Sequence, residues 1–219
     1  MDVKAVFVDA AGTLLRPREP VGITYARHAR HFGYEADPVE VETRFGKTFA
    51  AVRATQQRGD GRVFWGEVVA GSVGVRDEAL FDALYEHYSR PRAWWIDVEA
   101  LRVLSMLARS GVRLGIISNW DTRLRTLYER FALERMFPVL ACSAEIDAEK
   151  PDPVLFHAAC RAAGVAPANA VHVGNDPIQD VEGASRAGLV GLLYDEEIGW
   201  SAIGEQIKVL RRGVGMFGR

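Results

Sequence analysis

The chain has 219 residues, of which 48% are hydrophobic and 26% are charged, and its formal net charge is -2. This composition is typical of a folded globular protein, without the basic surface that nucleic acid requires or an apolar run near the roughly 20 residues of a membrane span. We therefore expect a cytoplasmic protein with no signal peptide, no nucleic-acid partner and no membrane partner. Cys142 and Cys160 fit no metal-ligand spacing and are interpreted as reduced structural thiols.

The first predicted element is a buried strand that ends at a carboxylate. Residues Ala5 to Val8 form an unbroken apolar run, and Asp9 follows directly. In a parallel sheet the carboxyl ends of the strands form the ligand-binding edge, so Asp9 would lie there as a nucleophile, a metal ligand or a helix N-cap. Gly12 allows a tight turn, and Thr13 offers a hydroxyl to the same crevice.

A segment with only helical periodicity follows the first strand. The stretch from Arg16 to Pro20 is interpreted as an irregular linker that cannot continue a strand, because prolines punctuate it. Apolar spacing then predicts four helices up to Tyr88, and a second linker runs from Ser89 to Pro91. Three aromatic residues of these helices suit either core packing or a pocket wall: Tyr25, Phe64 and Trp65.

The remainder of the chain alternates helices with strands. Buried strands are predicted at residues 112–119, 138–142, 170–174 and 189–194, and a final helix begins at Ser201. This alternation indicates an α/β fold with a parallel sheet covered on both faces. We expect a doubly wound, Rossmann-like core of residues 1–16 and 91–219, with an inserted four-helix cap at residues 17–90 that closes over the strand ends.

Polar side chains lie at or just beyond the ends of four predicted strands, and parallel strands bring these ends to one crevice. Asp9 with Asp176 or Asp180 would supply the oxygen ligands that Mg2+ prefers. Lys150 and the hydroxyls of Thr13 and Ser118 would act as donors to an anionic group. The full set comprises Asp9, Thr13, Ser118, Asn119, Lys150, Asn175, Asp176 and Asp180.

Four motifs built from these residues resemble those of the haloacid dehalogenase-like hydrolase superfamily, in the branch with a helical cap inserted after the first motif. They are Asp9-x-x-Gly12-Thr13-Leu14, Ile117-Ser118-Asn119, Lys150-Pro151-Asp152-Pro153 and Gly174-Asn175-Asp176-x-x-x-Asp180. The resemblance implies that Asp9 is a nucleophile that forms an aspartyl intermediate, that Thr13 and Ser118 bind the transferring group, and that Lys150 balances charge. It also implies Mg2+ on Asp9, on the backbone carbonyl of Ala11 and on Asp176 or Asp180, with substrate contacts from Ala10, Ala11, Gly12 and Asn119.

The sequence departs from the family pattern at Ala11, where phosphatases of the family carry a second aspartate that protonates the leaving oxygen. General acid–base help is worth on the order of 10²–10⁴ in rate, so its loss favours acyl or aryl phosphates, whose anions leave unaided. Candidate replacements for the acid are Arg16, His28 and His31. In the fourth motif Asn175 stands where many relatives have aspartate, so either Asp176 and Asp180 form the acidic pair or Asn175 is a weakened ligand beside Asp180. We favour Asp176 as the metal ligand, with Asp180 beside it or behind it.

The expected function is a Mg2+-dependent phosphatase that acts on a small phosphorylated metabolite through an aspartyl-phosphate on Asp9. One alternative is hydrolytic dehalogenation of a 2-haloacid, for which Arg44 would contact the halide. The related cleavage of a phosphonate would need Lys47 as a Schiff base. A further alternative is a binding protein that kept the fold and lost the chemistry.

Overall fold

The computed structural model describes residues 1–52 and 59–212, so residues 53–58 of the predicted cap and residues 213–219 lie outside the described residues. The first part of the chain contains β1 (Ala5–Val8), β2 (Leu15–Pro17), α1 (Val21–His31), α2 (Pro38–Val52), α3 (Arg62–Val73), α4 (Glu78–Tyr88) and β3 (Trp94–Ile96). The second part contains α5 (Val98–Arg109), β4 (Arg113–Ser118), α6 (Arg123–Arg130), β5 (Val139–Cys142), α7 (Ser143–Ile146), α8 (Pro153–Ala163), β6 (Ala170–Gly174), a π-helical turn (Pro177–Glu182), α9 (Gly183–Arg186), β7 (Val190–Leu193) and α10 (Gly199–Arg212).

Five parallel strands form the central sheet of the described chain, in the order β5-β4-β1-β6-β7. The chain runs outward from β1 through β4 to β5 and then crosses to β6 on the other side of β1. Strand β1 therefore lies at the point where the strand order reverses, which is where open α/β sheets bind ligands. The predicted α/β class with a doubly wound parallel sheet is confirmed.

Two apolar layers cover this sheet because side chains of β1 alternate between its faces. Val6 and Val8 pack in a cluster with residues of α5, α6 and α10, which includes the fully buried Trp200. Ala5 and Phe7 pack on the opposite face, in a cluster with residues of α8 and α9. Both cysteines are buried in these layers, and burial raises the pKa of the Cys142 thiol to about 12.

The four predicted helices are present as α1 to α4, between residues 21 and 88 of the described chain, and their buried residues form a separate apolar cluster. Asp37 accepts hydrogen bonds from the backbone N–H groups of Val39 and Glu40, as expected for the N-cap of α2. The prediction of an irregular first linker was wrong, because β2 pairs antiparallel with β3. Pro17 is tolerated there because β2 is an edge strand. The cap boundaries at residues 17 and 90 stay a prediction.

Core and helical segment are joined at Asp121, a fully buried carboxylate just beyond β4. Trp65 of α3 donates its indole N–H to Asp121 Oδ2 at 2.8 Å, and the guanidinium of Arg123 donates to both oxygens of Asp121. The guanidinium also lies 3.9 Å from the ring centroid of Tyr85 on α4. Within residues 1–52 and 59–212, no helix is both long and apolar enough to cross a membrane.

Gly22 lies where α1 and α2 approach closely. A Cβ there would lie 2.1 Å from the carbonyl oxygen of Pro38 and 2.9 Å from the Cβ of Glu42. Because overpacking costs about 1–3 kcal/mol, we expect Gly22→Ala to lower the free energy of unfolding by about 2 kcal/mol. The control is Gly46→Ala on α2, where a Cβ meets nothing within 4 Å and should raise that free energy by up to about 1 kcal/mol. Urea denaturation measures both, and equal effects would contradict a close helix contact at Gly22.

Candidate active site

Asp9 lies at the carboxyl end of β1, in the middle of the sheet, and is only 5% exposed. Two side chains donate hydrogen bonds to its carboxylate, and both reach the same oxygen: Ser118 Oγ lies 3.0 Å and Lys150 Nζ 2.6 Å from Oδ1. No described residue donates a hydrogen bond to Oδ2. One oxygen of Asp9 is thus held in place, and the other is left to form a bond with an electrophile.

Lys150 lies between two carboxylates. Its Nζ donates to Asp180 Oδ1 at 2.5 Å as well as to Asp9, and the three residues are almost completely buried. Asp180 also accepts hydrogen bonds from the ring Nε2 of His172, at 2.9 Å on Oδ1, and from the backbone N–H of Asp176, at 3.0 Å on Oδ2. Both oxygens of Asp180 are therefore engaged by protein donors.

The protonation states follow from burial and from these contacts. Burial raises the pKa of the Asp9 carboxyl, and the Lys150 ammonium offsets part of that rise. Burial also works against charge on Lys150 and Asp180, but their attraction is stronger: it raises the pKa of Lys150 and, with His172, lowers the pKa of Asp180. Burial lowers the pKa of His172, so its ring is neutral at pH 7. A carboxylate can only accept, so the single ring proton lies on Nε2.

Hydrogen bonds from the side chains of Asn119 and Thr13 fix the loops that hold these groups. The side chain of Asn119 donates to the carbonyl oxygen of Lys150 at 2.9 Å and accepts from the N–H of Lys150 at 2.7 Å, which positions the lysine. Thr13 Oγ1 donates to Asn175 Oδ1 at 3.2 Å. Gly12 has φ +80°, and a Cβ there would lie 2.6 Å from Asn175 Nδ2, so the turn after Asp9 requires glycine.

A cavity of about 240 Å³ opens beside Asp9. Its described lining is Asp9, Ala11, Phe49, Asn119, Glu149, Lys150, Asn175, Asp176, Gln179 and Asp180. Four carboxylates and one ammonium of the described residues line this space. Within the described residues no group of three or more His, Cys, Asp or Glu side chains could hold a metal ion by itself. A cation would rest on Asp9 and Asp176 with amide, backbone and water oxygens, a donor set that fits Mg2+.

The structure brings most of the predicted residues to this place. Asp9, Ala11, Asn119, Lys150, Asp176 and Asp180 line the cavity. Ala10, Thr13 and Ser118 are fully buried around it rather than among its described lining residues, and Gly12 forms the adjacent turn. Asp176 Oδ1 accepts from the N–H groups of Ile178 and Gln179 at 2.9 Å, so it also caps the π-helical turn.

Several other candidates are not among the described lining residues. Arg44 forms an ion pair with Glu40 at 2.7 Å on an exposed part of α2. Arg16 pairs with Glu196 and donates to Tyr194 at 2.7 Å, beside β3. His28 and His31 lie on α1, away from this lining. Tyr25 and Trp65 line a separate aromatic cavity of about 80 Å³, and Phe64 is buried.

Sequence reasoning missed four described residues of the site, one of which is the lining residue Glu149. His172 is a polar residue inside the fully buried strand β6, a signal that could have been noted. Phe49 on α2 lines the cavity while its ring contacts Phe45 and Trp65. Gln179 Oε1 accepts a hydrogen bond from Asn119 at 3.3 Å, and nothing in its sequence context indicated this contact.

Comparison with known proteins places this geometry in a family. Residues 3–188 match the family model described as haloacid dehalogenase-like hydrolase, and the chain belongs to that family. It is 30% identical over 210 residues to haloacid dehalogenase-like hydrolase domain-containing protein 3 of Danio rerio, a match that covers 90% of this chain and 87% of the relative. The protein is therefore a hydrolase of this family by fold and sequence.

Two solved structures show the same fold. One is a phosphatase of the family from Thermococcus onnurineus, with TM-score 0.68, 23% identity and coverage of 95% of this chain and 98% of that one. The other is L-2-haloacid dehalogenase from Xanthobacter autotrophicus with chloropropionic acid covalently bound, with TM-score 0.69, 19% identity and coverage of 99% and 85%. At these identities both comparisons define the fold alone.

We expect His172→Leu to lower the free energy of unfolding by about 2 kcal/mol at pH 7.5, because the buried carboxylate of Asp180 loses the hydrogen bond that His172 donates to it. The folded pKa of His172 lies below the unfolded value of about 6.5. Below that pH the unfolded chain therefore binds a proton that the folded protein excludes, and stability falls. The Leu variant lacks the ring that binds this proton, so its free energy of unfolding should decrease less between pH 7.5 and pH 5.5.

The matched variant is His172→Gln, whose amide N–H can still donate to Asp180. Its loss of stability at pH 7.5 should be less than half that of the Leu variant. Urea denaturation at pH 5.5 and pH 7.5 gives both quantities. Equal losses in the two variants would mean that His172 acts by packing rather than through its hydrogen bond.

Proposed function

We propose that this protein is a Mg2+-dependent phosphatase that acts on a small phosphorylated metabolite through an aspartyl-phosphate on Asp9. The observation that supports this most is the asymmetry of the Asp9 carboxylate. Oδ1 accepts from Ser118 and Lys150, and Oδ2 has no donor among the described residues. A nucleophile held by one oxygen and bare at the other is arranged to attack phosphorus.

The oxygen donors beside Asp9 support the metal. The carboxylates of Asp9 and Asp176 and the side-chain amides of Asn119, Asn175 and Gln179 line the cavity, and oxygen atoms of these kinds are the ligands that Mg2+ prefers. Bound Mg2+ would add positive charge beside the phosphate and orient it. We propose that Asp9, Asp176 and the Ala11 carbonyl hold it, whereas Asp180 acts through Lys150, since both of its oxygens already have protein donors.

The proposed reaction has two displacements at phosphorus. In the first, Asp9 Oδ2 forms a bond to phosphorus, and the bond from phosphorus to the leaving oxygen breaks, so the leaving group departs as an anion. In the second, a water oxygen attacks the same phosphorus, and the bond to Asp9 breaks to give inorganic phosphate and free carboxylate. Lys150 and Ser118 hold Asp9 Oδ1 through both displacements.

The leaving group limits the substrates of this reaction. The methyl group of Ala11 lines the cavity beside Asp9 and has no proton to give to a departing alkoxide. General acid catalysis contributes on the order of 10²–10⁴ in rate, so alkyl phosphates should be poor substrates. Acyl and aryl phosphates suit the site, because their leaving anions need no proton.

Dehalogenation of a 2-haloacid is the second candidate, since halide also leaves without a proton and Ala11 suits it. The structure offers it less support than phosphatase activity, because Arg44 is paired with Glu40 on α2 and does not line the cavity among the described residues. A catalytically silent binding protein is the third candidate, and the intact Asp9–Lys150 pair opposes it.

We expect release of inorganic phosphate from acyl and aryl phosphates that requires both Mg2+ and Asp9. Asp9→Asn should reduce the rate by a factor on the order of 10³ or more, because an amide cannot form the covalent intermediate. The assay compares the native protein and the variant with Mg2+ or EDTA. Release equal to the Asp9→Asn level on every substrate would contradict phosphatase activity, and halide release from 2-haloacids would then favour dehalogenation.

We expect Ala11→Asp to raise the rate on alkyl phosphates by a factor on the order of 10², because it restores a general acid beside Asp9, and to change the rate on aryl phosphates little. Ala11→Asn is the matched control, with nearly the same shape and no acidic proton. Steady-state phosphate release on paired alkyl and aryl substrates gives the ratio. An equal gain from Asn and Asp would show that Ala11 does not limit the leaving group.

A further inference from the structure

A further cavity, of about 180 Å³, lies where the residues after β2 and before β3 meet α1 and α4. Its lining residues are Arg18, Glu19, Thr24, Arg27, His87, Tyr88, Arg92 and Ala93, none of which lines the catalytic cavity. Arg18 follows β2 and donates its backbone N–H to the carbonyl of Ala93 at 2.9 Å. Arg92 lies in the turn before β3. Residues next to both β2 and β3, the two strands that connect the core to the helices, therefore line this space, which we call the neck cavity.

Positive charge is in excess there, although the whole chain has a formal net charge of -2. Three guanidinium groups and one carboxylate line the cavity. That carboxylate, Glu19, is already engaged, since it pairs with Arg27 at 2.7 Å and accepts from the buried Thr24 at 3.2 Å. Arg18 and Arg92 have no ion pair with any described residue. Arg18 and Arg92 thus line one concave space, and neither has an anionic partner within residues 1–52 and 59–212.

The state of His87 agrees with this excess of charge. Its ring lies 5.1 Å from that of His28, and it is half-buried in the cavity wall. Burial, followed by repulsion from His28, Arg27 and Arg92, lowers the pKa of His87 to about 4. His87 is therefore neutral at pH 7, and a bound anion would change its environment directly.

We propose that this neck cavity is a binding site for a small phosphate-type dianion, held by Arg18, Arg27 and Arg92. Guanidinium groups bind phosphate oxygens through paired N–H donors, and three of them converge here from the two linkers and α1. The space is several times the roughly 30 Å³ of one liquid water, so it accommodates a small ligand. A ligand in this place contacts both linkers and so ties together the two connections to the helical segment.

The test is an NMR titration of the protein with inorganic phosphate at pH 7.5, where most of it is the dianion, at constant ionic strength and without Mg2+. The ring signals of His28 and His87 report the neck cavity, whereas His172, which is three hydrogen bonds away from Asp9, reports the catalytic cavity. We expect the His87 signal to shift and then to saturate, with a Kd of ~10⁻³ M or tighter. Its pKa should rise when the dianion is bound.

Arg18→Gln and Arg92→Gln should each weaken this binding about tenfold or more. The matched control is Arg30→Gln, an exposed arginine of α1 outside the cavity, which removes the same charge and should leave binding unchanged. Saturable binding that all three variants retain would overturn the proposal. Weak, linear shifts of equal size in every variant would mean an adventitious ion only and would also overturn it.

Discussion

The buried ammonium of Lys150 is the interaction on which the site depends. Taking a charged group out of water costs several kcal/mol, and Lys150 sits within 2.6 Å of Asp9 and 2.5 Å of Asp180 at 4% exposure. Without it, the two buried carboxylates would keep only neutral donors among the described residues, which are Ser118, His172 and the backbone N–H of Asp176. Asn119 forms hydrogen bonds with the backbone C=O and N–H of Lys150, which positions the lysine between the two carboxylates. Lys150 and Ser118 both donate to Asp9 Oδ1, so Oδ2 has no donor among the described residues.

Much of this arrangement could be predicted from the sequence, because the carboxyl ends of parallel strands meet at one edge. Asp9, Ser118 and Lys150 follow or end predicted strands, and the structure brings them into direct hydrogen-bond contact. His172 could not be assigned a partner, since it faces Asp180 only after β6 and the π-helical turn fold back on each other. The pairing of β2 with β3 was also missed, because three-residue strands have no periodicity to detect.

Arg44 and Phe49 show how a helix face limits such predictions. Both lie on α2; the resemblance to dehalogenases made the arginine a candidate halide contact, and the phenylalanine was not a candidate. In the structure Phe49 faces the cavity and Arg44 pairs with Glu40 one helical turn away. Which face of a cap helix meets the sheet edge depends on how the whole segment docks, here through Trp65 and Asp121, and local spacing contains no information about that docking.

The most direct test of the proposed chemistry is the fate of the water oxygen when a single turnover runs in H2(18)O. An aspartyl-phosphate is opened by attack at phosphorus, so we expect the heavy oxygen in inorganic phosphate and an unlabelled Asp9 by mass spectrometry of its peptide. A carbon ester on Asp9, the intermediate of dehalogenation, is opened by attack at the carboxyl carbon, which would place the label in Asp9. Label in Asp9 would therefore contradict attack of this carboxylate on phosphorus as the reaction of the site.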